Sequence, residues 1–152
     1  MKEKSTTVEI NGTHYQISRF SPYVGTHILM KMIGVVIKAG AERGVDSSAP
    51  AAENPNPEVK KSGAETAKAI CSAAFVTGLD EEFEKYVHTQ CLARVARIEG
   101  DGIPMPIANA QGPLPDVADD FGLIIRLTME VLAFNFADFF EQGGMSALGG
   151  AA

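Results

Sequence analysis

The sequence has few cysteines and no cluster of positive charge, and each shortage excludes a class of protein. Its two cysteines, Cys71 and Cys91, are too few for a disulfide framework. Each lies in a helical pattern of apolar residues, where a buried free thiol is common, so we expect a reducing compartment. The chain has 13 Lys and Arg residues against 19 Asp and Glu residues, a formal net charge of -6. Because nucleic-acid affinity depends on clustered cations, this balance argues against binding to DNA or RNA.

The chain also lacks an apolar run that stays free of charge for the thickness of a bilayer. One of the two most apolar stretches contains Lys31, and the other contains Arg126, Glu130 and Asp138. A membrane span of about 20 residues tolerates such side chains poorly. The N-terminus runs into an alternating segment rather than the apolar region of a signal peptide. We therefore expect no membrane span, no secretory targeting and a cytoplasmic protein.

Residues for metal or catalytic chemistry are scarce as well. His88 and Cys91 are three positions apart on a predicted helix and could supply two zinc ligands, but a zinc site needs three or four. Both cysteines lack the exposed, electropositive setting of a reactive thiolate. The segment Gly100-Asp101-Gly102 has neither the spaced carboxylates of a calcium loop nor a phosphate-loop fingerprint, and a tight turn explains it. The sequence predicts no catalytic site, no metal site and no cofactor.

What the sequence does contain begins with a β-hairpin and a helix. Residues 7–18 alternate between apolar and polar side chains around Asn11-Gly12, the strongest two-residue hairpin signal. Ser21-Pro22 then supplies an N-cap and a first-turn proline. Apolar residues recur at helical spacing from there, which predicts a helix from about Pro22 to Arg43.

Three further helices are predicted downstream. A narrow apolar stripe runs from Ala67 to Phe75, and a short helix over 81–92 follows with Asp80 as its cap. The longest helical pattern is predicted to start at Asp116 and run to Gln142. Between these helices, extended segments on the two sides of Glu99–Gly102 could pair as a second hairpin.

These elements predict an α+β fold that is mainly α. It would contain an N-terminal β-hairpin, four helices with a long C-terminal helix, and a possible second small hairpin. Residues 1–142 would form a single domain. Within it, residues 45–62 hold three prolines and almost no large apolar side chain, which predicts a mobile linker. Residues 143–152 show no pattern and are predicted to be a flexible tail.

The last predicted helix is unusually rich in phenylalanine near its end. Phe134, Phe136, Phe139 and Phe140 lie within seven positions. They cannot all face one direction, because successive helical residues rotate by about 100°. At least two of them would belong to the core. Large aromatic side chains are the usual anchors of protein interfaces, so we expect the others to be covered by a partner or by a second subunit.

The order of elements, together with the segment Asn135-Phe136-Ala137-Asp138-Phe139-Phe140, resembles the tail assembly chaperones of tailed bacteriophages. In these small helical proteins the chain often closes with an Asn-Phe, a small residue and Asp-Phe-Phe. The hairpin bearing Ile-Asn-Gly and Tyr-Gln-Ile, the helix after Ser-Pro and the Leu-Asp-Glu-Glu break complete the resemblance, which spans most of the chain.

The resemblance implies a non-catalytic role in building the phage tail. A chaperone of this kind binds the tape measure protein and helps recruit tail tube subunits, without nucleic acid, membrane or cofactor. It would act in the host cytoplasm and be absent from the mature virion. A homo-oligomer is a further option. The predicted partner-binding residues, with Phe134 and Phe140 as the leading candidates, are Phe134, Asn135, Phe136, Asp138, Phe139 and Phe140.

Two other functions remain open from the sequence. One is a structural head or tail connector subunit that stays in the finished phage particle. The other is a small enzyme or metal-dependent regulator that uses His88 and Cys91.

Overall fold

A computed structural model describes residues 4–42, 63–109 and 112–142. The predicted linker at 45–62 and the predicted tail at 143–152 lie outside these residues. The N-terminal hairpin is confirmed, with β1 (Ser5–Ile10) antiparallel to β2 (Thr13–Ser18). Asn11 and Gly12 have φ of 53° and 82°. Both values are positive, as a two-residue turn that matches the twist of its strands requires.

The predicted second hairpin is also confirmed. It consists of β3 (Val95–Ile98) and β4 (Pro104–Pro106), and it is not separate from the first, because β3 pairs with β2. The result is a four-stranded antiparallel sheet in the order β1-β2-β3-β4. The two prolines of β4 lie at an edge of this sheet, where a strand tolerates the loss of amide hydrogens. The pair β5 (Ala108–Asn109) and β6 (Gly112–Pro113) forms a second, very small sheet.

The four predicted helices are present, and a single additional turn precedes the last of them. None of the helices in the described ranges is long and apolar enough to cross a membrane. In chain order the helices are α1 (Pro22–Glu42), α2 (Gly63–Thr77), α3 (Glu81–Leu92), the one-turn α4 (Pro115–Ala118) and α5 (Phe121–Glu141).

The start of the long helix differs from the sequence-based expectation, which placed the cap at Asp116. The helix begins at Phe121, and its N-cap is Asp120, whose carboxylate accepts a hydrogen bond from the backbone N–H of Leu123 at 3.0 Å. Asp116 lies in the separate turn α4. Both aspartates precede apolar residues at helical spacing, so the pattern alone does not distinguish them. The cap of α3 is the predicted one, because Asp80 accepts from the N–H of Phe83 at 2.7 Å.

Helix α5 lies at the centre of the protein. It packs most extensively against α2, then against α3, and it also contacts α4, β1 and β2. The sheet covers this helical core through inward-facing side chains such as Ile17, and Ile107, which follows β4, is also fully buried. The largest fully buried side chains include Ile17, Ile28, Met32, Val87, Ile107, Leu127, Val131 and Leu132.

Candidate functional site

The six residues predicted to bind a partner occupy the C-terminal half of α5, and they divide by burial. Phe136 is buried and packs near Phe20, with ring centroids 6.1 Å apart. Its ring therefore belongs to the core. The other five, Phe134, Asn135, Asp138, Phe139 and Phe140, are partly buried and keep some surface.

Asn135 ties α5 to the connection between β2 and α1. Its side-chain oxygen accepts a hydrogen bond from the backbone N–H of Phe20 at 2.8 Å. Its amide nitrogen donates to the carbonyl of Val131 at 2.9 Å and to that of Ser18 at 3.4 Å. Both ends of this side chain are thus used within the protein, where they fix the position of the first helix on the last one.

Arg19 completes this connection from the other side. Its guanidinium lies over the Phe134 ring, 4.1 Å from the centroid, and donates to the Phe134 carbonyl at 2.7 Å. It also approaches the carboxylate of Asp138 at 4.0 Å. The Arg19 cation is therefore stabilised by the aromatic face of Phe134 and by the carboxylate of Asp138. We call Arg19, Phe20, Phe134, Asn135 and Asp138 the Arg19 junction.

Sequence reasoning missed Arg19. A single arginine between a strand and a helix gives no signal of its own. Its partners are more than a hundred positions away in the sequence, since the Arg19 to Phe134 bond spans 115 residues.

Phe139 and Phe140 form an aromatic pair beyond the Arg19 junction. Their ring centroids are 5.1 Å apart in a T-shaped arrangement, and both rings are partly buried. Beside them the start of α2 meets the end of α5, where the N–H of Gly63 donates to the Glu141 carboxylate at 3.2 Å. Each of the two rings packs against the hydrophobic core on one side and keeps part of its surface exposed on the other.

A second apolar surface lies elsewhere on α5 and was not predicted. Helices α2, α3 and α5 flank an open groove of about 300 Å³. Val76 on α2 is 86% exposed and Ile125 on α5 is 56% exposed. Phe121, one turn before Ile125, is exposed as well. We call this the α2–α5 groove; it is lined by Ser72, Phe75, Val76, Glu84, His88, Ile125, Thr128 and Met129.

His88 lies in the wall of the α2–α5 groove. Its ring stacks on Phe75 with centroids 5.4 Å apart, and its Nδ1 is 3.1 Å from the hydroxyl oxygen of the buried Thr128. Nε2 is 3.9 Å from the carboxylate of Glu84. Burial lowers the pKa of His88, and the nearby Glu84 carboxylate opposes that effect only in part. The neutral imidazole is therefore the favoured form.

The structure places the His88 ring against Phe75, the Thr128 hydroxyl and the Glu84 carboxylate. Within the described ranges, no group of three or more His, Cys, Asp or Glu residues could hold a metal ion. Cys71 and Cys91 are free and buried. Burial raises the pKa of Cys71 to about 12, and burial also raises the pKa of Cys91 well above its usual range. Neither thiol is set up as a nucleophile.

A protein family described as "Phage tail assembly chaperone protein, TAC" matches residues 11–148. This span runs from the hairpin turn beyond the end of α5, and it confirms the resemblance drawn from the motif in α5. No curated protein and no solved structure matches the chain.

Proposed function

Because this chain belongs to the phage tail assembly chaperone family, we propose that it binds the tape measure protein and helps recruit tail tube subunits to it. The role is one of binding and shielding, without a catalysed reaction. We further propose that the protein acts in the host cytoplasm during assembly and leaves before the particle is complete. The family match over residues 11–148 is the observation that carries this proposal.

We place the contact with the partner at the C-terminal end of α5. Phe139 and Phe140 keep part of their rings at the surface beside each other. Paired aromatic rings suit an apolar stripe on a partner helix, because they bury a large area for little loss of side-chain freedom. In this proposal Phe134 contributes the part of its ring that Arg19 leaves uncovered. Asn135, Phe136 and Asp138 hold the helix in position.

Copurification from cells that express the neighbouring phage structural genes tests the proposal. The tagged chain should recover a long helical protein and a tube subunit in near-stoichiometric amounts, identified by mass spectrometry. The double substitution F139A/F140A should raise the Kd for the long protein at least tenfold, which corresponds to about 1.4 kcal/mol of lost binding free energy, and so reduce its recovery. Its helical circular dichroism should be preserved.

The matched control is I103A/M105A, which removes two exposed apolar side chains from the β3–β4 region. It should recover both partners as the unaltered chain does. Recovery of the bait alone would overturn the tape measure assignment. Full recovery by a folded F139A/F140A chain would instead move the contact away from this end of α5.

A further inference from the structure

The α2–α5 groove is bordered by apolar side chains that face solvent. Val76, Phe121 and Ile125 are 86%, 76% and 56% exposed. Phe121 and Ile125 lie one turn apart on α5, and Val76 lies in the last turn of α2, on another wall of the groove. Exposed apolar side chains around an apolar groove indicate an interaction surface, because contact with a partner removes them from water.

At one end the groove is bridged by an ion pair, and in the other direction it continues across α3. Lys68 of α2, one turn before the groove residue Ser72, pairs with Glu130 of α5 at 2.7 Å. An adjoining groove of about 910 Å³ shares the lining residues Glu84 and His88. A surface formed by three helices in this way offers room for a helical segment rather than for a single side chain.

Carboxylates outnumber cations around this surface. Glu84 lines both grooves and Glu81 lines the second. The Glu84 side chain is 49% exposed, and its carboxylate lies 3.9 Å from Nε2 of His88, beyond hydrogen-bond distance. Because burial lowers the pKa of His88 and favours the neutral ring, His88 does not cancel the Glu84 charge. Among the described residues that line the two grooves, Lys85 is the one cation, so the balance is negative; Arg126 lines neither groove.

We propose that the α2–α5 groove binds an amphipathic helix whose apolar stripe is flanked by lysine or arginine side chains. The stripe would cover Val76 and Ile125, and a flanking cation would reach the Glu84 carboxylate. The inference rests on the proposed function for the source of this helix, which is the tape measure protein, whereas the chemistry comes from the groove. It adds a second contact, because Ile125 and Phe139 are about 21 Å apart along α5.

In this site apolar contact supplies affinity and charge supplies selectivity. Opposite charges across an interface favour the correct partner, like charges disfavour a wrong one, and salt weakens both effects. A helix flanked by carboxylates would place like charges beside Glu81 and Glu84. The groove should therefore discriminate between two helices that carry the same apolar stripe.

Three labelled peptides of about 20 residues, long enough to form a helix, test the inference. Two share one apolar stripe and differ only in having lysine or glutamate on its flanks. Fluorescence anisotropy with the full chain should give a Kd at least tenfold lower for the lysine peptide at low salt, and the ratio should shrink as salt is added. The third is the lysine peptide with a central proline, which should bind at least tenfold more weakly because its helix is broken.

The variant E81Q/E84Q removes two carboxylates of the groove and keeps the size of the side chains. It should reduce the preference for the lysine peptide to less than threefold. The matched control E9Q/E99Q removes two exposed carboxylates elsewhere, one in β1 and one after β3. It should keep the full preference, which would show that the groove rather than the net charge of the chain selects the peptide.

The variant V76S/I125S removes the apolar borders of the groove without changing its charge. It should weaken binding of the lysine peptide at least tenfold, whereas I103S, at an exposed apolar site outside the groove, should bind normally. Circular dichroism checks that each variant is folded.

Equal binding of the lysine and glutamate peptides, or unaltered binding by a folded V76S/I125S chain, would overturn the inference. Equally tight binding of the proline peptide would also overturn it, because the occupant would then be an extended segment. If the chain associated with itself and V76S/I125S made it monomeric, a second copy would occupy the groove and the assignment to another protein would be wrong.

The outcome is separable from that of the proposed function. F139A/F140A should bind the lysine peptide as the unaltered chain does, because those rings lie at the other end of α5. Selective peptide binding by a chain that recovers no tape measure protein from cells would end the proposed function and leave the chemistry of the groove standing. Recovery of that protein by a chain that binds none of the peptides would have the reverse meaning.

Discussion

Asn135 shows how a residue predicted to bind a partner can act within its own chain. Its side-chain oxygen pairs with the N–H of Phe20, and its amide nitrogen reaches two carbonyls. The neighbouring Phe134 and Asp138 engage Arg19. This segment therefore holds the sheet, the first helix and the last helix together, while the adjacent pair Phe139 and Phe140 stays partly exposed.

The substitution N135A tests the internal role. We expect it to lower the free energy of unfolding by about 2 to 3 kcal/mol, because it removes hydrogen bonds and leaves the buried N–H of Phe20 without an acceptor. Urea denaturation followed by circular dichroism measures the change. The control R126A, at an exposed position of the same helix, should stay within about 0.5 kcal/mol. A loss as small as the control's would contradict the role of Asn135 in the Arg19 junction.

His88 should make stability depend on pH. Its folded-state pKa is lowered by burial, whereas in the unfolded chain it titrates at about 6.5. Below that value the unfolded state binds more protons than the folded state, so stability falls as the pH drops through 6.5 toward the folded pKa.

The variant H88N isolates this contribution. The loss of stability between about pH 7.5 and about pH 5.5 should be smaller in H88N than in the unaltered chain. The control H14N removes a histidine from an exposed strand position. Its loss of stability between the two pH values should equal that of the unaltered chain. Equal losses in the unaltered chain and in H88N would show that His88 does not couple folding to protonation.

The helices of the protein follow local rules closely, and their caps illustrate both the strength and the limit of those rules. Asp80 and Asp120 each accept a hydrogen bond from an N–H three residues onward. The first was predictable because one aspartate precedes the helical pattern. The cap at Asp120 was not predictable, because Asp116, Asp119 and Asp120 all precede the last helix. Which of the three aspartates caps the helix depends on where the backbone leaves α4.

The start of α2 approaches α5 so closely that a glycine is necessary there. A Cβ atom at Gly63 would collide with the backbone carbonyl of Ala137 and with the Glu141 side chain. G63A should therefore lower the free energy of unfolding by about 1 to 3 kcal/mol, as overpacking does.

The matched variant G34A should have the opposite sign. Gly34 lies in the exposed middle of α1 with open space around it, so alanine should stabilise the helix by about 0.5 to 1 kcal/mol. Thermal and urea unfolding of the two variants would measure the contrast. Equal effects would mean that α2 can move away from α5 at little cost.

At the scale of the whole molecule, the sequence predicted the elements and the class but not the long-range arrangement. The sequence predicts a hairpin over residues 7–18 and an extended segment that contains Val95 and Ile98, yet it carries no information that the two pair. The α2–α5 groove could not be predicted from the sequence either, because its lining residues Val76, Ile125 and Glu84 come from three different helices. The resemblance to the family could be drawn from the sequence because the segment that suggested it, Asn135 to Phe140, is contiguous.

The composition of purified particles tests the function at this scale. If the protein is an assembly chaperone, mature virions should contain less than one copy per particle, while the tape measure and tube proteins remain. Quantitative mass spectrometry of gradient-purified phage would measure this, with the tube protein as the internal standard. A constant copy number near that of a connector ring would favour the structural-subunit alternative.

The prolines of β4 have one more consequence. Pro104 and Pro106 pair inward with Ile98 and Ala96, and neither can offer an amide hydrogen on the outer side of the sheet. A β-strand from a neighbouring molecule therefore finds no regular ladder to extend at this edge. Crowded copies of the chain can then collide at the β4 edge without joining into amyloid-like stacks.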